Sequence, residues 1–63
     1  MKQYDKVKLK SDLYKSENVY PGMEGYLLEE YQDGKFEVEF SDPITGKTIT
    51  FLVLGVDEIE LAE

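Results

Sequence analysis

The segment Gly22 to Phe40, GMEGYLLEEYQDGKFEVEF, constrains the fold of this chain more than any other, because it writes both arms of a β-hairpin and the loop between them. Two apolar-rich runs flank Gln32-Asp33-Gly34, and a short glycine-containing loop between such runs favours a tight antiparallel reversal. In the second run Phe36, Val38 and Phe40 alternate with Lys35, Glu37 and Glu39. Successive side chains of a strand point to opposite faces, so the apolar set shares one face and the glutamates the other. One face is suited to a core, and the other meets solvent or a partner.

The rest of the chain reads as further short strands. Tyr4 to Lys10 alternates Val7 and Leu9 with Lys6, Lys8 and Lys10, a first strand with a basic outer face. Ser11 to Gly22 has no clean period and reads as a long loop, with Leu13, Tyr14, Val19 and Tyr20 available to close over the core. Met23 to Tyr31 forms a second strand, in which the adjacent Leu27 and Leu28 break the alternation and imply a bulge or a bend. Lys35 to Phe40 is the third strand. Ser41 to Lys47 is a turn, Pro43 setting φ early and Gly46 taking the left-handed position. Thr48 to Leu54, TITFLVL, is β-branched, aromatic and uncharged. It reads as the most buried strand, with Phe51 beside Phe36, Val38 and Phe40 in the core and Leu52 or Leu54 as its residues able to face out. Gly55 to Glu58 reads as a turn of 3₁₀ type, and Ile59 to Leu61 as a short closing strand.

Sixty-three residues make one domain, 1–63, and a chain of this size buries only roughly 60% of the surface of its unfolded form. There is no cysteine and no histidine, so neither a disulfide nor a Cys/His zinc site can staple it, and the apolar residues alone must form the core. The expected architecture is all-β: a small five-stranded SH3-like barrel, whose closure would remove exposed strand edges. No apolar run reaches the roughly 18 residues of a membrane span, and MKQYDKVKLK lacks the apolar centre of a signal peptide. The expectation is a cytoplasmic protein without a membrane partner.

Fourteen acids against seven lysines, with no arginine, give a net charge of −7. The distribution is uneven. Met1 to Ser16 holds five lysines and two aspartates, net +3, while Glu17 to Glu63 holds two lysines and twelve acids, net −10. Such a field repels phosphate backbones and steers basic protein surfaces inward, besides keeping a small protein soluble. Lys2, Lys6, Lys8, Lys10 and Lys15 alone favour nucleic acid, and they do so against the negative remainder.

Catalysis near neutral pH usually draws on histidine or an activated nucleophile. Only Ser11, Ser16 and Ser41 offer a serine hydroxyl, all in charged turns. Glu37 and Glu39, roughly 6 to 7 Å apart on one strand face, have a spacing two working carboxylates can use, but a barrel this small offers no pocket to shelter them. Asp33, Glu37, Glu39 and Asp42 are hard oxygen ligands without the calcium-loop pattern D-x-D-x-D-G. The chain is therefore expected to be no enzyme and to need no metal or cofactor. Tyr4, Tyr14, Tyr20, Tyr26 and Tyr31 carry more weight, because tyrosine is enriched at interface centres.

The order of a V-x-L strand, the run GMEGYLLEEYQDGKFEVEF, the turn D-x-x-T-G-K-T, an apolar strand and the closing VDEIEL resembles the small bacterial proteins of domain-of-unknown-function family 4926. The resemblance extends from about Tyr4 to Leu61 and is carried by Gly22, Gly25, Gly34, Glu37, Val38, Glu39, Phe40, Gly46 and Asp57, mostly turn and core positions. It implies a protein without assigned catalysis, similar to the immunity or antitoxin partners of neighbouring toxins. The block from Gly22 to Tyr31 is also similar to the KOW-type motif of RNA-binding barrels, but Glu29, Glu30, Glu37 and Glu39 stand where such a motif uses lysine and arginine.

These features read as an acidic protein-binding module that neutralises a basic partner such as a nuclease toxin, with a KOW-like adaptor in a ribonucleoprotein or regulatory complex as the alternative. Its partner-binding residues are expected to be Tyr26, Glu29, Glu30, Tyr31, Asp33, Glu37, Glu39 and Asp42, with Tyr14 and Tyr20 beside the long loop as a second group; the pattern specifies no oligomeric state. From the charge alone, mixed-sequence RNA or DNA oligonucleotides should show no anisotropy change at near-physiological salt. Micromolar binding abolished by changing Lys6, Lys8 and Lys10 to glutamate would overturn that ranking.

Overall fold

Phe36, Val38 and Phe40 are all buried in the computed structural model, which describes residues 1–62. They belong to strand β3 (Phe36–Ser41), with Glu37 and Glu39 on its other face. The remaining strands are β1 (Lys6–Leu9), β2 (Glu24–Glu30), β4 (Thr48–Leu54) and β5 (Ile59–Leu61). Single 3₁₀ turns lie at Lys15–Glu17, inside the long first loop, and at Val56–Glu58, where a one-turn element was expected. The fold is all-β, one antiparallel sheet in the order β4-β3-β2-β1-β5.

All five strands contribute to one buried cluster of Val7, Leu9, Val19, Leu27, Phe36, Val38, Phe40, Leu54 and Ile59, so the sheet wraps around a shared core. The barrel is nevertheless not closed by pairing. Among the described residues β5 pairs with β1 and β4 with β3, and the two end strands do not pair with each other. A three-residue β5, already committed to β1, has little backbone to offer β4. The first loop covers part of the opening instead: Val19 joins the core, Tyr14 packs against it, and the Thr50 hydroxyl of β4 lies 3.3 Å from Glu17 Oε1.

Local chemistry fixes the register. At the β2–β3 hairpin the Gly34 N–H donates to the Tyr31 carbonyl at 3.0 Å and the Tyr31 N–H to the Lys35 carbonyl at 2.7 Å. This closure places Gly34 at φ +85°, a conformation that costs glycine little. The Leu27-Leu28 doublet is a bulge. Leu27 opposes Val38, and the next paired residue, Glu29, opposes Glu37, so Leu28 is left over and Glu29 is kept on the glutamate face. On the inner face the row Val7, Gly25, Phe40 crosses three strands.

β4 departs from expectation. It is an end strand, and its residue opposite Glu39 is Phe51 and its residue opposite Glu37 is Val53. Directly opposed residues of a sheet share a face, so these two point outward, Phe51 53% and Val53 51% exposed. Leu54 is fully buried opposite Phe36, and Leu52, half-buried opposite Val38, packs against the core. Phe51 is thus not a core residue, and β4 is not the most buried strand. The run has no charged residue to mark its outer face, and Thr50 lies opposite buried Phe40, so the partner strand decided the parity.

Gly25 is buried on β2 at a point where β3 leaves no room for a side chain. A Cβ placed there would lie 2.6 Å from the Glu39 carbonyl oxygen and 3.0 Å from side-chain atoms of both Phe40 and Val38. Neither a backbone oxygen nor two buried side chains can yield cheaply, and overpacking of this kind costs about 1–3 kcal/mol. Gly25→Ala should therefore lower the melting temperature by several degrees in a calorimetric scan. An unchanged melt would mean that β2 and β3 are spaced more widely than described.

Candidate functional site

The outer face of the sheet is organised in rows that follow the register. Lys6, Tyr26, Glu39 and Phe51 oppose one another across β1, β2, β3 and β4. One step along, Glu29, Glu37 and Val53 form a second row. Neighbours in such rows have Cβ atoms only about 4.5–5.5 Å apart, so the acids interleave with apolar groups in one continuous surface. Tyr26 is 49% exposed, comparable to Phe51 and Val53. An aromatic surface of this kind without an internal cover is suited to docking.

Hydrogen bonds orient the two central acids. The Tyr31 hydroxyl donates to Glu37 Oε1 at 3.0 Å, and this bond, more than burial, raises the Tyr31 pKa above its usual value. The Thr48 hydroxyl donates to Glu39 Oε2 at 2.6 Å. The second oxygen of each carboxylate has no hydrogen-bond partner among the described residues. Each acid is held by one oxygen and can receive a donor on the other.

The expected site residues divide accordingly. Tyr26, Glu29, Glu37 and Glu39 share the outer face, with Tyr31 bonded at its edge. Glu30 does not: the bulge places it opposite Phe36, on the other side of the sheet, where it is exposed. Asp33 sits at the hairpin tip and accepts the Lys35 N–H at 3.1 Å. Asp42 belongs to the β3–β4 turn, where Oδ1 accepts the N–H groups of Thr45 at 3.0 Å and Ile44 at 2.7 Å, bonds that hold its pKa below the ordinary aspartate value. Asp42 also borders, with Lys6, Glu24, Tyr26 and Pro43, an open hollow of about 300 Å³ at the end of the outer face. Tyr20 is exposed on the first loop, outside the paired strands that carry the acidic rows. Phe51 and Val53, assigned to the interior by sequence, are the face's additional apolar members. The signal that finds them is the pairing of TITFLVL with a strand whose glutamates already mark the outside.

The basic first strand is answered within the fold. Lys6 Nζ lies 3.4 Å from Glu24 Oε1, and Lys8 stands opposite Glu24 on one side and Glu60 on the other. Among the described residues no three acids converge in a way that could hold a metal ion, and no helix is long and apolar enough to cross a membrane.

A family model described as Domain of unknown function (DUF4926) matches residues 3–61. No curated protein and no solved structure matches the chain.

Tyr14 has a structural bond rather than a free hydroxyl. It donates to Glu58 Oε2 at 2.6 Å, tying the first loop to the turn before β5, while Glu58 Oε1 accepts the Gly55 N–H at 2.9 Å. The bond to Glu58, then burial, raises the Tyr14 pKa to about 12. A raised folded-state pKa means that the stabilisation is complete below the unfolded value near 10 and is lost as pH climbs from there to about 12. Ultraviolet titration should show two tyrosines ionising above the ordinary range, Tyr14 and Tyr31, and Tyr14→Phe should remove the step near 12. A Tyr14→Phe variant with the same titration end would place the bond elsewhere.

Proposed function

The chain belongs to the family Domain of unknown function (DUF4926), and from that premise we propose that it is a protein-binding module that captures a basic partner on the outer face of β2, β3 and β4. In the cell it acts as an immunity or antitoxin-type protein in the cytoplasm, covering the cationic cleft of a partner such as a nuclease toxin. It performs no catalysis of its own. The observation that carries this reading is the interleaving of exposed apolar residues, Tyr26, Phe51 and Val53, with Glu29, Glu37 and Glu39 on one face.

The two residue types divide the work of association. Acids around an interface steer encounter and set its salt dependence, while desolvated aromatics contribute most of the affinity. Tyr26 and Phe51 supply area with few rotors, and the free oxygens of Glu37 and Glu39 receive lysine or arginine from the partner. Net charge of −7 extends the attraction beyond contact, to about 8 Å at physiological ionic strength. The pairing of Lys6 with Glu24 favours protein over nucleic acid as the partner, since it leaves the lysine strand less charge for phosphates.

Reversing both Glu37 and Glu39 to lysine should leave folding nearly intact, each surface change costing within about 0.5 kcal/mol. Capture of the native partner from lysate should be lost, and association with the purified partner should slow strongly at low salt and much less at high salt. Recovery of the same partner in the same yield would reduce the acidic face to a solubility device and move attention to Tyr20 and the first loop.

A further inference from the structure

The two ends of the sheet are unequal. β5 spans three residues, whereas β4 spans seven, Thr48–Leu54, none of them charged and none a proline. Among the described residues no backbone group of β4 bonds to the backbone of any element except β3. An antiparallel end strand turns the amides and carbonyls of alternate residues away from its neighbour, and proteins usually guard such an edge with charge, proline, a bulge or a covering loop. Here the bulge lies at the start of the strand, at the register shift between Phe40 and Ser41, and the first loop touches β4 through the Thr50 hydroxyl. Among the described residues the run Phe51 to Leu54 has no backbone partner besides β3, its other contact being the Thr50 hydroxyl 3.5 Å from the Phe51 carbonyl oxygen.

We propose that this edge receives an extended segment of the basic partner, which adds to the sheet as a sixth strand beside β4. The proposal rests on the reading of the chain as a binder of a basic protein and specifies how that protein is held. Strand spacing sets the chemistry of the segment. Its outward side chains would stand about 5 Å from the β4 row of Phe51 and Val53, and about 10 Å from the β3 row of Glu37 and Glu39. Lysine or arginine spans that interval, its methylenes lying on Phe51 and Val53 and its charged end reaching the free oxygens of Glu39 and Glu37. Its inward side chains would meet half-buried Leu52 and are served by apolar residues. The fitting sequence alternates basic and apolar residues, with backbone bonds supplying affinity and side chains supplying choice.

A second copy of the chain fits less well. Its own β4 has no cation to offer Glu37 and Glu39, and each copy carries −7. Charge complementarity therefore selects the basic segment as the occupant.

The test is a titration of the isotope-labelled protein with a capped seven-residue peptide alternating lysine and valine, followed by two-dimensional NMR and amide exchange. The peptide should slow exchange by about tenfold or more at alternate amides of Phe51 to Leu54, give cross-strand contacts to β4, and lose binding when its lysines become glutamate. Val53→Lys, a change at an exposed position, should abolish the protection while the folded spectrum is retained. Binding that depends on Glu37 and Glu39 but leaves β4 amides unprotected would overturn the sixth strand and leave the acidic face standing. Absence of any binding would also overturn it, with lysate capture judging the acidic face independently. Protection that appears without peptide and grows with protein concentration would assign the edge to a second copy and overturn the basic segment.

Discussion

The parity of β3 is the constraint on which the rest of the molecule depends. Phe36, Val38 and Phe40 have no alternative burial in a chain of this size, so Glu37 and Glu39 must face out. Every residue opposite them inherits a side. On β2 this sends Leu27 inward with Val38 and Tyr26 outward with Glu39; on β4 it sends Leu54 inward and Phe51 outward. A slip of one residue would exchange the two faces entirely, burying carboxylates at several kcal/mol each in a domain whose whole margin is about 5 kcal/mol. The core and the docking face are therefore one decision.

With no cysteine to form a disulfide, the domain supports its core with polar bonds that do modest local work. Asp42 organises the β3–β4 turn through two backbone amides, and Glu58 holds both its own 3₁₀ turn and Tyr14. Among the described residues no buried side-chain polar atom lacks a partner. Some acids of this chain are thus consumed by turns and latches, as Asp42 and Glu58 are, and others, Glu37 and Glu39, are left half free on the sheet.

Much of the architecture is legible in the sequence because its determinants are local. The glycine hairpin, the Leu27-Leu28 bulge, the Asp42–Gly46 turn and the 3₁₀ element before the last strand each announce themselves within a few residues. What escapes is set at a distance. The facing of TITFLVL comes from β3, and nothing within an uncharged run encodes it. Glu30 reads as a partner of Glu29 until the bulge moves it to the other side. The bond from Tyr14 to Glu58 joins residues 44 positions apart. The acidic face was visible as an acid-rich stretch, but its aromatic members became visible only once strands were paired.

The pairing of β1 with β5 has a consequence for the nascent chain. Val7 opposes Leu61, so the partner of the first strand is made 54 residues later. At about 5–20 residues per second, a ribosome leaves that side of β1 waiting for roughly 3–10 seconds. During this interval Val7 and Leu9 are an unfinished apolar strand among other nascent chains. Lys6, Lys8 and Lys10 alternate with them, and like charge beside an apolar strand opposes association between copies until Ile59–Leu61 arrives.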